Sequence, residues 1–182
     1  EFYHPNTMTC KLLAGTETLF ELEYYSVGGG FIEWKGYIAP EKGQPKYPFA
    51  HAKELKKYLI DDNIPLGRLL LENELAISGK SEKEVSEFLD QVAEVMIRGV
   101  DTGLKVESVL PGPIKLHSKA ATVYKRAMDE SYQADRGIGS LSAFALAASE
   151  ENGRGHLVIT APTGGSAGVM PSLVYGLLEV RK

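Results

Sequence analysis

Hydrophobic and polar positions divide the chain into a short strand-like part and a longer helix-like part. Between residues 18 and 38, aromatic and β-branched residues flank the run SVGGG at 26–30, which is typical of strands that meet at a turn. Residues 39–45 are polar and rich in proline and glycine, which predicts a loop or linker. After Phe49 the apolar positions recur about every 3.6 residues, so we expect helices from there on.

Three helices are predicted in the middle of the chain. The first covers residues 52–61, and Pro65 suits the first turn of the second, where Asn73 lies on an apolar stripe. The third begins with a capping box formed by Ser81 and Glu84, and Gly103 fits its C-terminal stop. Its apolar stripe, which we expect to be buried, comprises Val85, Phe88, Leu89, Val92, Val95, Met96 and Val100.

The last third predicts three more helices and a buried strand or turn. Helices are expected over residues 117–130 and 138–152, with Gly153 following the second. Residues 156–160 are apolar and β-branched, which favours a strand or turn. The final helix either begins at Pro171 or bends there, because a proline inside a helix removes a hydrogen-bond donor. Residues 157–178 carry no charge, but their prolines and glycines argue against a membrane span.

Composition narrows the class of protein. The 182 residues include 43% hydrophobic and 24% charged side chains, as in soluble globular proteins. The formal net charge of −4 argues against a nucleic-acid partner, because nucleic-acid-binding domains usually carry a basic surplus. A lone cysteine, Cys10, cannot form an internal disulfide, which indicates a reducing, cytoplasmic location.

Two glycine-rich turns are the strongest candidates for chemistry. Ser26, Gly28, Gly29 and Gly30 follow a predicted strand, and a second turn at residues 163–168 precedes a predicted helix. Successive glycines let backbone N–H groups converge on an anion, so a carboxylate or phosphate fits either turn. A tight turn without a ligand explains each equally well. Neither turn has the lysine of a Walker A loop or the spacing of a dinucleotide fingerprint.

Polar residues in two helical segments are further candidates. Glu150 and Asn152 belong to an acidic helix end whose carboxylates oppose the helix dipole. They either orient backbone or substrate beside the next loop or form a solvated helix end. Asn73, with Glu74 beside it, either organises a site or caps nearby backbone. The four histidines, including His156, show no metal spacing, and we expect surface or structural roles for them.

Five motifs in series resemble those of bacterial iron–sulfur-dependent L-serine dehydratases. They are YYSVGGGF at residues 24–31, ENE at 72–74, LPGP at 110–113, FALA with EEN between 144 and 152, and APTGGSAGV at 161–169. Pro171 also falls where that family has a proline. The resemblance extends from about Tyr24 to the last residue.

The resemblance implies an α+β fold in two parts. Residues 1–45 would be the end of a regulatory-type α+β domain and its linker, and residues 46–182 the first part of a mostly helical catalytic domain. The implied reaction eliminates water from L-serine to give pyruvate and ammonia. It would use a 4Fe-4S cluster whose open iron acts as a Lewis acid on the substrate hydroxyl.

The resemblance also suggests roles for particular residues. Ser26 and Gly28 to Gly30 would donate hydrogen bonds to the substrate carboxylate. Thr163 and Gly164 would form a second wall of the substrate-binding site. A second layer of residues would hold these groups in place without touching the substrate: Asn73, Glu74, Glu150 and Asn152. No catalytic residue is assigned. The cluster cysteines of the family lie beyond the proline loop, so this chain should hold no metal and should be inactive alone. Its expected partners are L-serine, the remainder of its own catalytic domain and a second copy in a homodimer.

Two other classes of function fit the residues without the resemblance. A pyridoxal-phosphate-dependent deaminase would use a glycine-rich turn to bind the phosphate. It also needs a lysine for the Schiff base, and no lysine here lies in an apolar segment that would mark it for that role. A non-enzymatic amino-acid sensor would bind serine without a cluster. Enzymes that remove sulfur from cysteine are a related class that also fits these residues.

Overall fold

A computed structural model describes residues 3–129, 136–159 and 167–179. Over these residues the chain has three antiparallel strands followed by six helices, so the α+β, mostly helical class is confirmed. The strands are β1 (Thr7–Ala14), β2 (Glu17–Gly28) and β3 (Phe31–Trp34). The helices are α1 (Ala52–Ile60), α2 (Leu66–Ser78), α3 (Glu82–Gly103), α4 (Ala120–Ala127), α5 (Arg136–Gly153) and α6 (Val169–Glu179).

The three strands form one sheet in the order β1-β2-β3. The pattern of residues 18–38 predicted β2 and β3, whereas β1 was not predicted. β1 is exposed along almost its whole length, so it lacks the alternation of buried and exposed positions that marks a strand in sequence. Pairing with β2, from Thr7 opposite Tyr25 to Ala14 opposite Glu17, accounts for it instead.

The chain divides into two compact units. One consists of Glu1–Tyr37 and Val92–Lys182, and the other is Ile38–Gln91. The second unit begins at Ile38, one residue before the segment that the sequence predicted as a linker. The domain boundary expected after residue 45 stays a prediction.

In the unit Ile38–Gln91, local sequence signals set the helix ends. The backbone N–H of Ser81 donates to the carboxylate of Glu84 at 2.8 Å, and the N–H of Glu84 donates to the hydroxyl of Ser81 at 3.3 Å, which confirms the predicted capping box at the start of α3. The Ser81 hydroxyl also donates to that carboxylate at 2.7 Å, and the two bonds that the carboxylate accepts lower the pKa of Glu84. Gly79 ends α2 in the left-handed conformation, with φ of 69°. Phe88 and Leu89 were expected in a buried stripe, but 57% and 56% of their surface is exposed.

In the other unit, small residues let helices pack closely. Its core consists of Val100, Ala120, Phe144, Ala147 and Ala148. A Cβ at Gly103 would lie 2.5 Å from the carbonyl oxygen of Ala147, so only glycine permits α3 to approach α5 at this point. Gly103 does end α3, as predicted, but it also serves as a packing contact.

Pro171 neither begins α6 nor needs to bend it. The helix begins two residues earlier, at Val169, so the proline lies in its first turn. The first four N–H groups of a helix have no partner within it, and a residue without an N–H is therefore tolerated there. The backbone N–H of Ser172 already donates to the carbonyl of Gly168 at 3.1 Å.

The segment after α5 differs from its prediction. Residues 156–159 form no strand, and Leu157 is 71% exposed rather than buried. Residues 160–166, which include most of the second glycine-rich turn, lie outside the described part of the chain. Among the helices that the structure describes, none combines the length and the apolar character that crossing a bilayer requires.

Candidate functional site

The C-terminal end of α5 buries two adjacent carboxylates. Glu150 is only 6% exposed and Glu151 only 3%, so the interpretation of this segment as a solvated helix end was wrong. Burying a charge is unfavourable unless hydrogen bonds and opposite charges compensate it. The partners of the two carboxylates therefore determine what this part of the molecule does.

Glu150 caps a different helix. Its Oε1 accepts hydrogen bonds from the backbone N–H groups of Lys119 and Ala120, at 2.6 and 3.2 Å. These residues begin α4, and the side chain of Lys119 makes no capping hydrogen bond of its own. A helix N-terminus carries partial positive charge, so a carboxylate is favourable there. The acidic residue that opposes the dipole of α5 thus stabilises the start of α4.

Glu151 joins two residues that follow α5. Its Oε1 accepts from Nη1 of Arg154 at 2.8 Å, and its Oε2 lies 2.7 Å from Nδ1 of His156. The Arg154 guanidinium also lies 3.8 Å from Oε2 of Glu150. The side chain of Arg154 is 9% exposed, whereas that of His156 is 58% exposed. One buried cation therefore lies between two buried carboxylates, and an imidazole closes the group on the solvent side.

The backbone places Arg154 and His156 beside Glu151 through a Schellman motif. The N–H of His156 donates to the carbonyl of Glu151 at 3.1 Å, and the N–H of Gly155 donates to the carbonyl of Asn152 at 3.0 Å. Gly155 has φ of 80°, the left-handed conformation that this motif requires. Gly153, predicted to follow the helix, is its last residue, and Gly155 is the glycine that stops it.

A loop between α3 and α4 reaches the same group. Nη2 of Arg154 donates to the hydroxyl of Ser108 at 3.3 Å. Ser108 lies at the base of a hairpin-like loop, where its carbonyl accepts from the N–H of Ser118 at 2.9 Å. The LPGP motif at residues 110–113 lies at the far end of this loop, with Gly112 at φ of 120°. We call Ser108, Glu150, Glu151, Arg154 and His156 the acidic junction.

Asn73 has the backbone-capping role that the sequence left open. Its Oδ1 accepts from the N–H of Tyr47 at 2.7 Å, and its Nδ2 donates to the carbonyl of Tyr47 at 2.9 Å. The side-chain amide therefore pairs with a backbone amide as a neighbouring strand would. Next to it, Glu72 binds Lys46 and accepts from Nε of Arg68 at 2.6 Å. Its hydrogen bonds, that from Lys46 first, lower the pKa of Glu72 to about 2.

The first glycine-rich turn is a two-residue hairpin loop. Gly28 pairs with Phe31, and Gly29 and Gly30 between them have φ of 60° and 82°. Two successive positive φ values match a type I′ turn, which explains why glycines occur here. The N–H of Ser26 already donates to the carbonyl of Asn6 at 3.0 Å, so within the described part of the chain its hydroxyl is the group left to meet a ligand. The role of this turn in binding stays a prediction.

The remaining predicted site residues have different outcomes in the structure. Glu74 and Asn152 are exposed, and their predicted supporting roles stay predictions. Thr163 and Gly164 lie outside the described residues. In the ranges 3–129 and 136–159, no hydrogen bond or ion pair joins Ser26 to the acidic junction. Sequence reasoning missed Arg154 and His156, although the spacing of Arg154 four residues after Glu150 was a visible signal.

A cavity of about 550 Å³ lies among α4, α5 and α6. Its lining is mainly apolar and includes Tyr124, Met128, Leu141, Phe144, Leu173 and Leu177. Arg136, Ser140 and Glu179 also line the cavity, but apolar atoms make up most of its surface, so a small zwitterionic amino acid would lose much of its hydration there. We therefore do not assign this cavity to the substrate of the family.

An iron–sulfur cluster does not fit the ligands of this chain. Such clusters are held by about four residues, usually cysteines, and Cys10 is the one cysteine in 182 residues. Cys10 is exposed in β1. Within the described ranges, no group of three or more His, Cys, Asp or Glu side chains has the arrangement of a metal site.

Comparison with known proteins identifies the class. A family model described as "Serine dehydratase alpha chain" matches residues 61–182, about two thirds of the chain. The acidic junction and α2 from Leu66 onward lie within the matched range. The chain belongs to the serine dehydratase α-chain family, whose members are lyases, and this confirms the resemblance drawn from the motifs.

Relatives that match the chain are named L-serine dehydratases. The chain is 35% identical over 178 residues to the L-serine dehydratase of Haemophilus influenzae. It is 33% identical over 177 residues to L-serine dehydratase 2 of Escherichia coli and 33% identical over 180 residues to the L-serine dehydratase of Streptomyces coelicolor. These alignments cover 94%, 94% and 95% of this chain. They cover only 39%, 38% and 39% of the respective relatives.

Proposed function

We propose that the intact protein that contains this chain converts L-serine into pyruvate and ammonia. Loss of the α-proton and the β-hydroxyl releases water and leaves 2-aminoacrylate. That enamine tautomerises to an imine, and addition of water to the imine releases ammonia and leaves pyruvate. The observation that carries the proposal is the family match over residues 61–182, together with relatives named L-serine dehydratase.

The contribution we propose for this chain is to bind the serine carboxylate. The hydroxyl of Ser26 is exposed at the end of β2, and a Cβ at Gly28 would meet nothing within 4 Å. A carboxylate therefore has access to the hydroxyl and to the backbone of the hairpin loop. On the basis of the sequence alone, we propose that Thr163 and Gly164 form a second wall of the substrate-binding site. The base that removes the α-proton is not assigned.

We further propose that the intact protein carries a 4Fe-4S cluster whose ligands lie outside this chain. Cys10 cannot hold a cluster alone, so the 182 residues by themselves should be inactive. The many exposed apolar side chains on α3 and α6, including Phe88, Leu89, Val169 and Leu177, fit coverage by the remainder of the catalytic domain and by a second copy in a homodimer. A cytoplasmic location is consistent with the lone cysteine.

The test uses the full-length protein, reconstituted anaerobically with iron and sulfide. Pyruvate formation from L-serine, lost after brief exposure to air, is the expected result. If the protein binds the cluster but forms no pyruvate, its substrate would be another small amino acid. Absorbance of an internal aldimine, removed by borohydride, would instead indicate the pyridoxal alternative, and serine binding without turnover would indicate the sensor.

The carboxylate role is tested by the variant Ser26→Ala. We expect it to raise KM for L-serine at least about tenfold, because a hydrogen bond to a charged group contributes roughly 1.5–3 kcal/mol. Ser86→Ala is the matched control, since Ser86 is an exposed serine of α3 remote in sequence from the turn. Unchanged KM and turnover in Ser26→Ala would remove Ser26 from the site.

A further inference from the structure

A cavity of about 490 Å³ lies against one face of the strand pair β2 and β3. Tyr25 pairs with Glu33, and the N–H of Lys35 donates to the carbonyl of Glu23 at 2.9 Å. Residues opposite each other in an antiparallel pair share a face, as do residues two apart in one strand. These four side chains therefore lie on the same side of the sheet, and all four residues line the cavity.

Aromatic residues form much of the remaining wall. Tyr3 packs on Tyr25 with ring centroids 5.1 Å apart, and Tyr25 is only 4% exposed whereas Tyr3 is 82% exposed. After β3, the N–H of Tyr37 donates to the carbonyl of Trp34 at 2.8 Å, and their rings meet edge to face at 4.7 Å. Both residues line the cavity. Because the face of an aromatic ring is electronegative, such a wall attracts cations.

The charged groups of this cavity do not balance. Glu23 lies 3.8 Å from Nζ of Lys35 and accepts a hydrogen bond from the Tyr25 hydroxyl at 3.1 Å. Glu33 has no ion pair or hydrogen bond within the residues that the structure describes. The Lys35 side chain is 70% exposed, so its ion pair is weak. Two carboxylates and one ammonium group leave a formal charge of −1, and Glu33 is the carboxylate without a cation.

We propose that this cavity binds a small organic ammonium ion that carries no carboxylate. The cation lies against the tyrosine rings, and Glu33 is its counterion. Aromatic walls favour alkylated ammonium ions, because the ring faces replace water around the alkyl groups. A zwitterionic amino acid would bring a further carboxylate beside Glu23 and Glu33. The serine reaction proposed above does not require this ligand, so either proposal can fail without the other.

Three probes of nearly equal shape separate charge from size. Choline is a quaternary ammonium ion, dimethylbutanol replaces its nitrogen with carbon, and glycine betaine carries a carboxylate as well. By ligand-observed NMR, the full-length protein should bind choline with a Kd on the order of 1 mM. The alcohol and betaine should bind at least about tenfold more weakly. No binding of choline, or equal binding of choline and either analogue, would overturn the proposal.

Variants of the charged residues should change choline binding in opposite directions. We expect Glu33→Gln to weaken it about fivefold and Lys35→Gln to strengthen it about twofold, because the second change removes a competing cation. Damage to the fold cannot strengthen binding, so the lysine variant excludes that explanation. Glu21→Gln is the matched control, since Glu21 lies on the same strand and pairs with Lys11 at 2.8 Å instead. Equal weakening in both glutamate variants, or no gain in the lysine variant, would overturn the role of Glu33.

Tyr3 tests the aromatic part of the site. Because Tyr3 is mostly exposed, its substitution should leave the sheet intact. Tyr3→Phe keeps the ring face and should bind choline within about twofold of the parent, whereas Tyr3→Leu should bind it about threefold more weakly than Tyr3→Phe. Equal choline affinities in these two variants would overturn the contact between the cation and this ring.

Discussion

The E-N-E segment at residues 72–74 of α2 and the E-E-N segment at residues 150–152 of α5 contain the same two residue types, yet the two helices bury opposite members. In α2 the amide of Asn73 is buried and Glu74 is exposed. In α5 the carboxylates of Glu150 and Glu151 are buried and Asn152 is exposed. Which residues of a polar triplet are buried depends on the helix face that carries the packing contacts, not on composition.

The buried groups match the backbone that each one meets. An amide carries both a donor and an acceptor, so Asn73 pairs with the C=O and the N–H of Tyr47 at once. A carboxylate only accepts, so Glu150 suits the helix start at Lys119 and Ala120, where N–H groups lack partners. Each side chain replaces a missing backbone partner, and exchanging the two chemistries should fail at both sites.

The largest effect should come from removing a buried charge at the acidic junction. Glu151→Ala leaves the buried Arg154 without its closest carboxylate, and breaking a buried ion pair costs roughly 3–5 kcal/mol. Glu74→Ala removes an exposed carboxylate and should stay within about 0.5 kcal/mol. Urea unfolding of the full-length protein measures both. Similar losses in the two variants would contradict the contrast drawn between the triplets.

The next effect should come from the buried amide of α2. Asn73→Ala leaves the N–H and C=O of Tyr47 without their partner, which costs roughly 2–4 kcal/mol for two bonds. Asn73→Asp restores the acceptor but places a carboxylate beside the Tyr47 carbonyl, so it should not rescue stability. Asn152→Ala is the control, with a change within about 0.5 kcal/mol. Full rescue by aspartate would show that the donor to the carbonyl is dispensable.

A smaller effect is expected where only the charge changes. Glu150→Gln keeps an oxygen that can accept from Lys119 and Ala120, but it loses the attraction to the α4 N-terminus and to the Arg154 guanidinium 3.8 Å away. Charge-assisted bonds are about twice as strong as neutral ones, so the loss should be about 1 kcal/mol. Glu150→Ala, which removes the acceptor as well, should cost clearly more. Thermal unfolding of the two variants separates the capping bond from its charge, and equal losses would mean that the charge contributes everything.

The sequence predicted features that depend on neighbouring residues. The capping box of Ser81 and Glu84 is an example, since three residues of separation suffice to form it. It did not predict that Glu150 caps α4, because that contact joins residues 30 and 31 positions apart. Nor does apolar periodicity tell which part of a stripe is covered, and Phe88 and Leu89 are exposed although they fit the stripe of α3. The glycine turn after Ser26 was located correctly, and its ligand-binding role stays a prediction.

The smallest effect, and one that depends on pH, should come from Glu72. Hydrogen bonds from Lys46, Arg68 and Tyr47 hold the pKa of Glu72 at about 2, below the ordinary value of 4.5. A depressed pKa means that the folded state favours the carboxylate, so this contribution is complete above about pH 5 and is lost as the pH falls toward 2.

The stability difference between the parent protein and Glu72→Gln should therefore shrink in urea unfolding between pH 6 and pH 3. Added salt should shrink it too, because Lys46 and Arg68 are half exposed, whereas the Glu151→Ala effect should resist salt. A difference that stays constant with pH and salt would mean that the Glu72 network owes its effect to packing, and the two acidic regions would then differ in burial alone.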